Sequence, residues 1–150
     1  LFTTESFRLD RANSKTFILL LAQKKPLSFI TSSPVSLSEV LLKYNKNEFH
    51  HLYPKTYLRS LSNKSKKYHQ DCLANICFMS RSDNNKLGGE KPSVYRAYLP
   101  EDVTDILERA CCPDSLFDDN FDNFASTRAE WLAKEANAKA EIEPGFPIFN

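Results

Sequence analysis

At 150 residues the chain has room for one domain with a real core, and not for two comfortable ones. Hydrophobic residues at 41% and charged residues at 26% are ordinary for a soluble globular protein, and the longest apolar run, Phe17 to Ala22, is far short of the ~20 residues of a membrane span. The net charge of +1 hides an asymmetry, since residues 101–150 carry 12 acids against 4 bases while residues 1–100 carry 7 acids against 16 bases.

The first residues, Leu1-Phe2-Thr3-Thr4-Glu5, have neither the basic nor the apolar region of a signal peptide and no initiator Met. The expectation is a fragment of a longer, cytoplasmic protein. Asn13 or Ser14 is placed to cap a helix through Phe17-Ile18-Leu19-Leu20-Leu21, which has to stop before Pro26. Phe29-Ile30 is at best a short extended piece. Ser36-Leu37-Ser38-Glu39 has the form of a capping box, and Leu37, Val40, Leu41 and Tyr44 follow with the spacing of one helix face.

Glu48 to Tyr53 reads as a strand, with Phe49 and His51 on one face and His50 and Leu52 on the other. Pro54 suits the first position of a brief helix carrying Tyr57, Leu58 and Leu61. A polar, basic loop from Ser62 to Gln70 leads to a second strand, Asn75 to Met79. Ser80 or Ser82 then caps a helix that Gly88-Gly89 ends. Val94, Tyr95, Tyr98 and Leu99 make a further helical turn or two. Val103, Ile106, Leu107 and Ala110 form another helix face, with Glu101, Asp102 and Asp105 in its favourable first turn. A long helix from about Asp118 to Ala140 should turn Phe121, Phe124, Trp131 and Leu132 inward, with Pro144-Gly145 closing it. The four cysteines, Cys72, Cys77, Cys111 and Cys112, form no C-x-x-C pair and read as buried thiols of a cytosolic protein.

The candidate chemistry lies between Glu48 and Pro92. Phosphodiester hydrolysis needs a deprotonated water, charge relief on the phosphoryl oxygens and stabilisation of the leaving oxygen. Histidine accepts a proton near neutrality, provided that a partner holds its other ring nitrogen. His51 is the candidate base, and the amide carbonyl of Asn75, on the neighbouring strand, is a candidate to hold its ring. Residues beside the base that could ligate a metal are His50 and Asn84. Lys55, Arg59, Lys64, Lys66 and Lys67 form an acid-free basic stretch suited to a phosphate backbone. Lys86 and Lys91, flanking the helix of Asn84, are candidates for the same contact. His69 reads as incidental.

Glu48-Phe49-His50-His51-Leu52-Tyr53-Pro54-Lys55, then Leu73-Ala74-Asn75-Ile76, then Ser80 to Pro92, resembles in order the HNH (ββα-metal, or His-Me finger) nuclease domain at the C-terminus of GmrSD-like, modification-dependent restriction proteins. The resemblance covers roughly residues 45–95. It implies an α+β, mostly helical single domain over 1–150, with a central ββα-metal motif and helical scaffold at 1–44 and 96–150. It makes His51 the general base, Asn75 the residue that orients it, and His50 and Asn84 the metal ligands, with Asn85 the alternative if the helix register slips by one. It also implies DNA as substrate, a nicking endonuclease activity in restriction or anti-phage defence, and an N-terminal nucleotide-hydrolysing domain as partner, with no membrane. Many members have aspartate where His50 stands and histidine where Asn84 stands. The expected cofactor is a divalent ion, Mg²⁺ or Mn²⁺. This ligand pair lacks negative charge, so Mg²⁺ should bind weakly without DNA, and softer Mn²⁺, Ni²⁺ or Zn²⁺ better. The competing expectations are a non-catalytic DNA-binding module and a docking module of a restriction protein.

Overall fold

The structure, a computed structural model, describes residues 1–44, 49–62, 66–142 and Gly145. It is an α+β fold in which helices surround one two-stranded antiparallel sheet. Helix α1, Ala12–Gln23, buries Phe17, Leu20 and Leu21 and ends ahead of Pro26 as expected. Its cap differs from expectation. Arg11 takes the N-cap position, while Asn13 and Ser14 lie inside the helix. The buried Ser14 hydroxyl instead accepts a hydrogen bond from the Arg8 N–H at 2.9 Å, as a buried polar group must find a partner. Phe29 and Ile30 fall in a turn closed by a bridge between Leu27 and Pro34, not in an extended piece. Helix α2, Leu37–Tyr44, opens on the Ser36 carbonyl, which accepts from Val40 N–H at 3.1 Å, and it buries Val40.

The sheet is shorter than the sequence suggests. Strand β1 is His50–His51 and strand β2 is Ile76–Cys77, with His50 opposite Cys77 and His51 opposite Ile76. Glu48 lies outside the described residues. Asn75, expected to begin the second strand, instead ends a 3₁₀ turn, Leu73–Asn75. Its side chain bonds the Tyr53 backbone where β1 would otherwise continue. Strands this short are not stable by themselves. The N-terminal segment reinforces them: Ser6 bridges Cys72, and the N–H groups of Leu73 and Ala74 donate to Glu5 and Phe2 carbonyls at 3.0 and 2.8 Å. Nothing local in the sequence announces that pairing.

Helix α3, Lys55–Ser60, starts one residue later than expected, with Pro54 extended at its N-cap (ψ 142°). Helix α4, Arg81–Leu87, matches its sequence signals. The Ser80 hydroxyl accepts from Asp83 N–H at 3.0 Å, and Gly88 ends the helix in the left-handed region at φ 70°. Gly89 follows at φ 78°, and a Cβ there would come within 2.7 Å of the Thr56 hydroxyl, so α3 and the end of α4 can meet only over a glycine. Helix α5, Pro92–Tyr95, runs into a 3₁₀ turn, Arg96–Tyr98, and helix α6, Thr104–Arg109, buries Ile106 and Leu107.

A 3₁₀ turn, Asp114–Asp118, precedes helix α7, Phe121–Ile142. Phe121, Phe124 and Leu132 face inward as expected, but Trp131 is 40% exposed. The buried stripe runs through Phe121, Phe124, Ala125, Arg128 and Leu132, so its third-turn position is held by a fully buried arginine. Pro144 lies outside the described residues. All four thiols are free and buried, and burial pushes Cys77 and Cys112 up to about 12, which leaves them unreactive. Among the described residues no helix is long and apolar enough to cross a membrane.

Candidate functional site

A cleft of about 320 Å³ opens where β1, the start of α3 and α4 meet. His50, His51, Lys55, Asn84, Leu87 and Tyr95 are among the residues that line it. The backbone explains the convergence. β1 delivers the two histidines, the extended Pro54 turns the chain so that Lys55 and Thr56 form a wall, and the Ser80 cap sets the register that brings Asn84 to the same space. The walls are tied together. The Tyr95 hydroxyl donates to the Leu52 carbonyl at 2.7 Å, the Tyr53 hydroxyl to the Leu116 carbonyl at 2.9 Å, and the Thr56 hydroxyl to the Gly89 carbonyl at 3.0 Å. Asn85, the alternative ligand, is exposed and is not part of the cleft lining.

The His51 side chain is only 8% exposed, and its Nε2 lies 2.7 Å from Asp71 Oδ1. Burial lowers its pKa below the ordinary histidine value, and this outweighs the opposing pull of Asp71. With the Asp71 carboxylate as acceptor, Nε2 carries the hydrogen of this bond, and the lone pair of the neutral ring lies on Nδ1. The carboxyl of Asp71 is held well below the usual carboxylate range, first by the His51 hydrogen bond and then by Lys55, whose Nζ reaches the same oxygen at 2.9 Å.

The amide of Asn75 does not hold the ring. Its Oδ1 accepts from Tyr53 N–H at 2.8 Å, and its Nδ2 donates to the Tyr53 and Gln70 carbonyls at 3.0 and 2.9 Å. Asn75 fastens the two ends of the excursion between the strands, and the residue that meets His51 is Asp71. No sequence expectation falls on Asp71, although it is the only acid between Glu48 and Asp83. That isolation, in a stretch crowded with cations, was the available signal.

The basic candidates separate. Lys55 is paired with Asp71 and sits in the cleft, and Lys91 pairs with Asp119 at 3.2 Å. The Lys67 ammonium lies 5.3 Å from the Tyr68 ring centroid, and its backbone N–H donates to Asp122 at 2.8 Å. Arg59 and Lys86 are exposed, Lys66 is half-buried, and Lys64 lies outside the described residues. His69 is exposed, and its Nδ1 accepts the Asp71 N–H at 3.2 Å.

Among the described residues no group of three or more His, Cys, Asp or Glu side chains is arranged to hold a metal. His50 and Asn84, the candidate ligands, both line this cleft. The pair brings no carboxylate, so an ion held there would take its remaining ligands from phosphate and water oxygens. No family model matches the chain, and no curated protein or solved structure matches it.

The ion-paired state of Asp71 has a consequence for acid stability. The unfolded carboxyl takes up a proton near pH ~3.9 while the folded one does not, so its stabilisation is present above that pH and fades as pH falls further. Urea midpoints measured from pH 5 to pH 2 should therefore fall less steeply for Asp71→Asn than for the wild type.

Proposed function

We propose that this chain is an HNH-type, metal-dependent nuclease domain that nicks DNA by hydrolysing a phosphodiester bond. The observation that carries the reading is that His50, His51 and Asn84 line one cleft, with His51 Nε2 bonded to Asp71, which leaves Nδ1 as the ring nitrogen to accept a proton. Two antiparallel strands followed by a capped helix are the supporting frame.

In this reading His51 takes the proton from the attacking water at Nδ1, and Nε2–H stays on Asp71. His50 and Asn84 would hold the divalent ion. Such an ion, when bound, supplies Lewis-acid relief of charge on the phosphoryl oxygens and the departing oxygen. Lys55 keeps a cation at the cleft wall, and exposed Arg59 and Lys86 add positive charge outside it for the polyanion. One such site cuts one strand, so a double-strand break takes two. A role in restriction of foreign DNA, beside a nucleotide-hydrolysing partner domain, belongs to the same proposal through the sequence resemblance.

The test is a supercoiled-plasmid assay in Mg²⁺ and in Mn²⁺. The wild type should yield open circles, and His51→Ala should lower the rate by about 10²–10⁴-fold, the usual worth of a general base, with DNA affinity retained. Equal rates in the two proteins would remove His51 from the chemistry. Salt-sensitive DNA binding without cleavage in any divalent ion would favour a non-catalytic binding module. Calorimetry should show little Mg²⁺ binding before DNA is added, since the chain offers that hard ion no carboxylate from the cleft lining.

A further inference from the structure

Asp71 Oδ1 accepts from two donors at once, His51 Nε2 at 2.7 Å and Lys55 Nζ at 2.9 Å. Its backbone is fixed on both sides. The Asp71 carbonyl accepts from Phe7 N–H at 2.8 Å, and the next residue, Cys72, bridges Ser6. The His51 ring is packed as well, with the Phe49 ring centroid 5.8 Å away and Phe7 4.7 Å beyond that. A carboxylate on a pinned segment thus meets one nitrogen of a nearly buried ring that has little freedom to turn.

We propose that Asp71 is the positioning residue of this site: it fixes His51 as the Nε2–H tautomer, so that the basic lone pair is confined to Nδ1. The proposal rests on the reading of His51 as the base. An imidazole without a fixed partner divides its single proton between the two nitrogens, and molecules protonated at Nδ1 cannot accept there. Lys55 has a subordinate part. By binding the same oxygen it keeps Oδ1, and not Oδ2, turned to the ring.

The experiment reads the ring and the reaction separately. Long-range ¹H–¹⁵N NMR of labelled protein at neutral pH reports which nitrogen of His51 is protonated, with or without any nuclease activity. The wild type should show protonation at Nε2. Asp71→Ala should show both tautomers, and its kcat for plasmid nicking should fall about 10–100-fold, less than for loss of the base itself, with KM little changed. Asp71→Asn still offers an oxygen to two donors that both need one, so it should keep the Nε2–H tautomer and recover much of the lost rate. If Asp71→Ala does not fold, Asp71→Asn and Asp71→Leu compared by the same spectrum carry the test. Retention of the Nε2–H tautomer without any acceptor at position 71, or an unchanged kcat in Asp71→Ala, would overturn the proposal. If the wild type shows the Nε2–H tautomer, lost in Asp71→Ala, but never nicks DNA, the hold by Asp71 is established and the nuclease reading is what fails.

Discussion

Replacing Arg128 by methionine should lower the unfolding free energy by about 3–5 kcal/mol, a large share of the ~5–15 kcal/mol that a domain possesses. Arg128 is fully buried in α7, and every hydrogen bond of its guanidinium goes to a backbone carbonyl. Nη1 donates to Ala74 and Ile76 at 2.8 and 2.7 Å, Nη2 to Ala110 at 3.0 Å, and Nε to Cys111 at 3.2 Å. Ile76 lies in β2 and Ala74 in the 3₁₀ turn before it, while the other two acceptors close the C-terminal end of α6, where the helix dipole also favours a cation. The side chain thus fastens the short sheet to the scaffold. Methionine fills much of the space but leaves four buried carbonyls without a donor. Lysine, with three N–H donors, serves fewer of them and should lie between. Urea unfolding with an unchanged m-value would measure both variants. A loss below about 1 kcal/mol for methionine would mean that water reaches those carbonyls and that the staple is dispensable.

The same arginine illustrates what the sequence conveys. Local signals were legible wherever the physics is local. The Ser80 hydroxyl and the left-handed Gly88 bound α4 as their residue types require, and the apolar spacing located Val40, Ile106 and Leu107 in the core. His50, His51 and Asn84 meet at one cleft because β1 pairs with β2 and α4 follows β2 closely along the chain. What the sequence withheld depends on partners distant along the chain. Trp131 and Arg128 compete for one helix face, and hydrophobicity favours the tryptophan. Only the four carbonyls presented by β2 and α6 make the arginine the better buried residue. Asp71 is a similar case, since its role follows from being held opposite His51 by a segment that begins at Phe2. Strand β1 is shorter than its alternation suggests for a related reason. Alternating polarity extends the strand to Tyr53, but the Asn75 side chain has already occupied the Tyr53 backbone.

Asn75→Ala should destabilise the fold by about 2–4 kcal/mol and leave the tautomer of His51 as it is. The side chain is wholly buried and satisfies one N–H and two carbonyls on opposite ends of the excursion, at Tyr53 and at Gln70. Alanine orphans all three. Asn75→Asp is the sharper probe, because it keeps the acceptor facing Tyr53 N–H but turns the donor into an oxygen facing two carbonyls. An ionised carboxylate there is buried and repelled, so at neutral pH this variant should be no more stable than alanine. Its folded carboxyl should titrate above the ordinary aspartate value. The sign follows: the folded state takes up a proton at a higher pH than the unfolded state, so acidification stabilises the variant relative to the wild type. Denaturation midpoints of the two proteins should therefore converge as pH is lowered from 7 towards ~4. If the chain nicks DNA as proposed, nicking by Asn75→Ala should fall in proportion to its folded fraction. A switch of the His51 proton from Nε2 to Nδ1 in that variant would instead return the orienting role to the amide, and would show that Asp71 alone does not hold the ring.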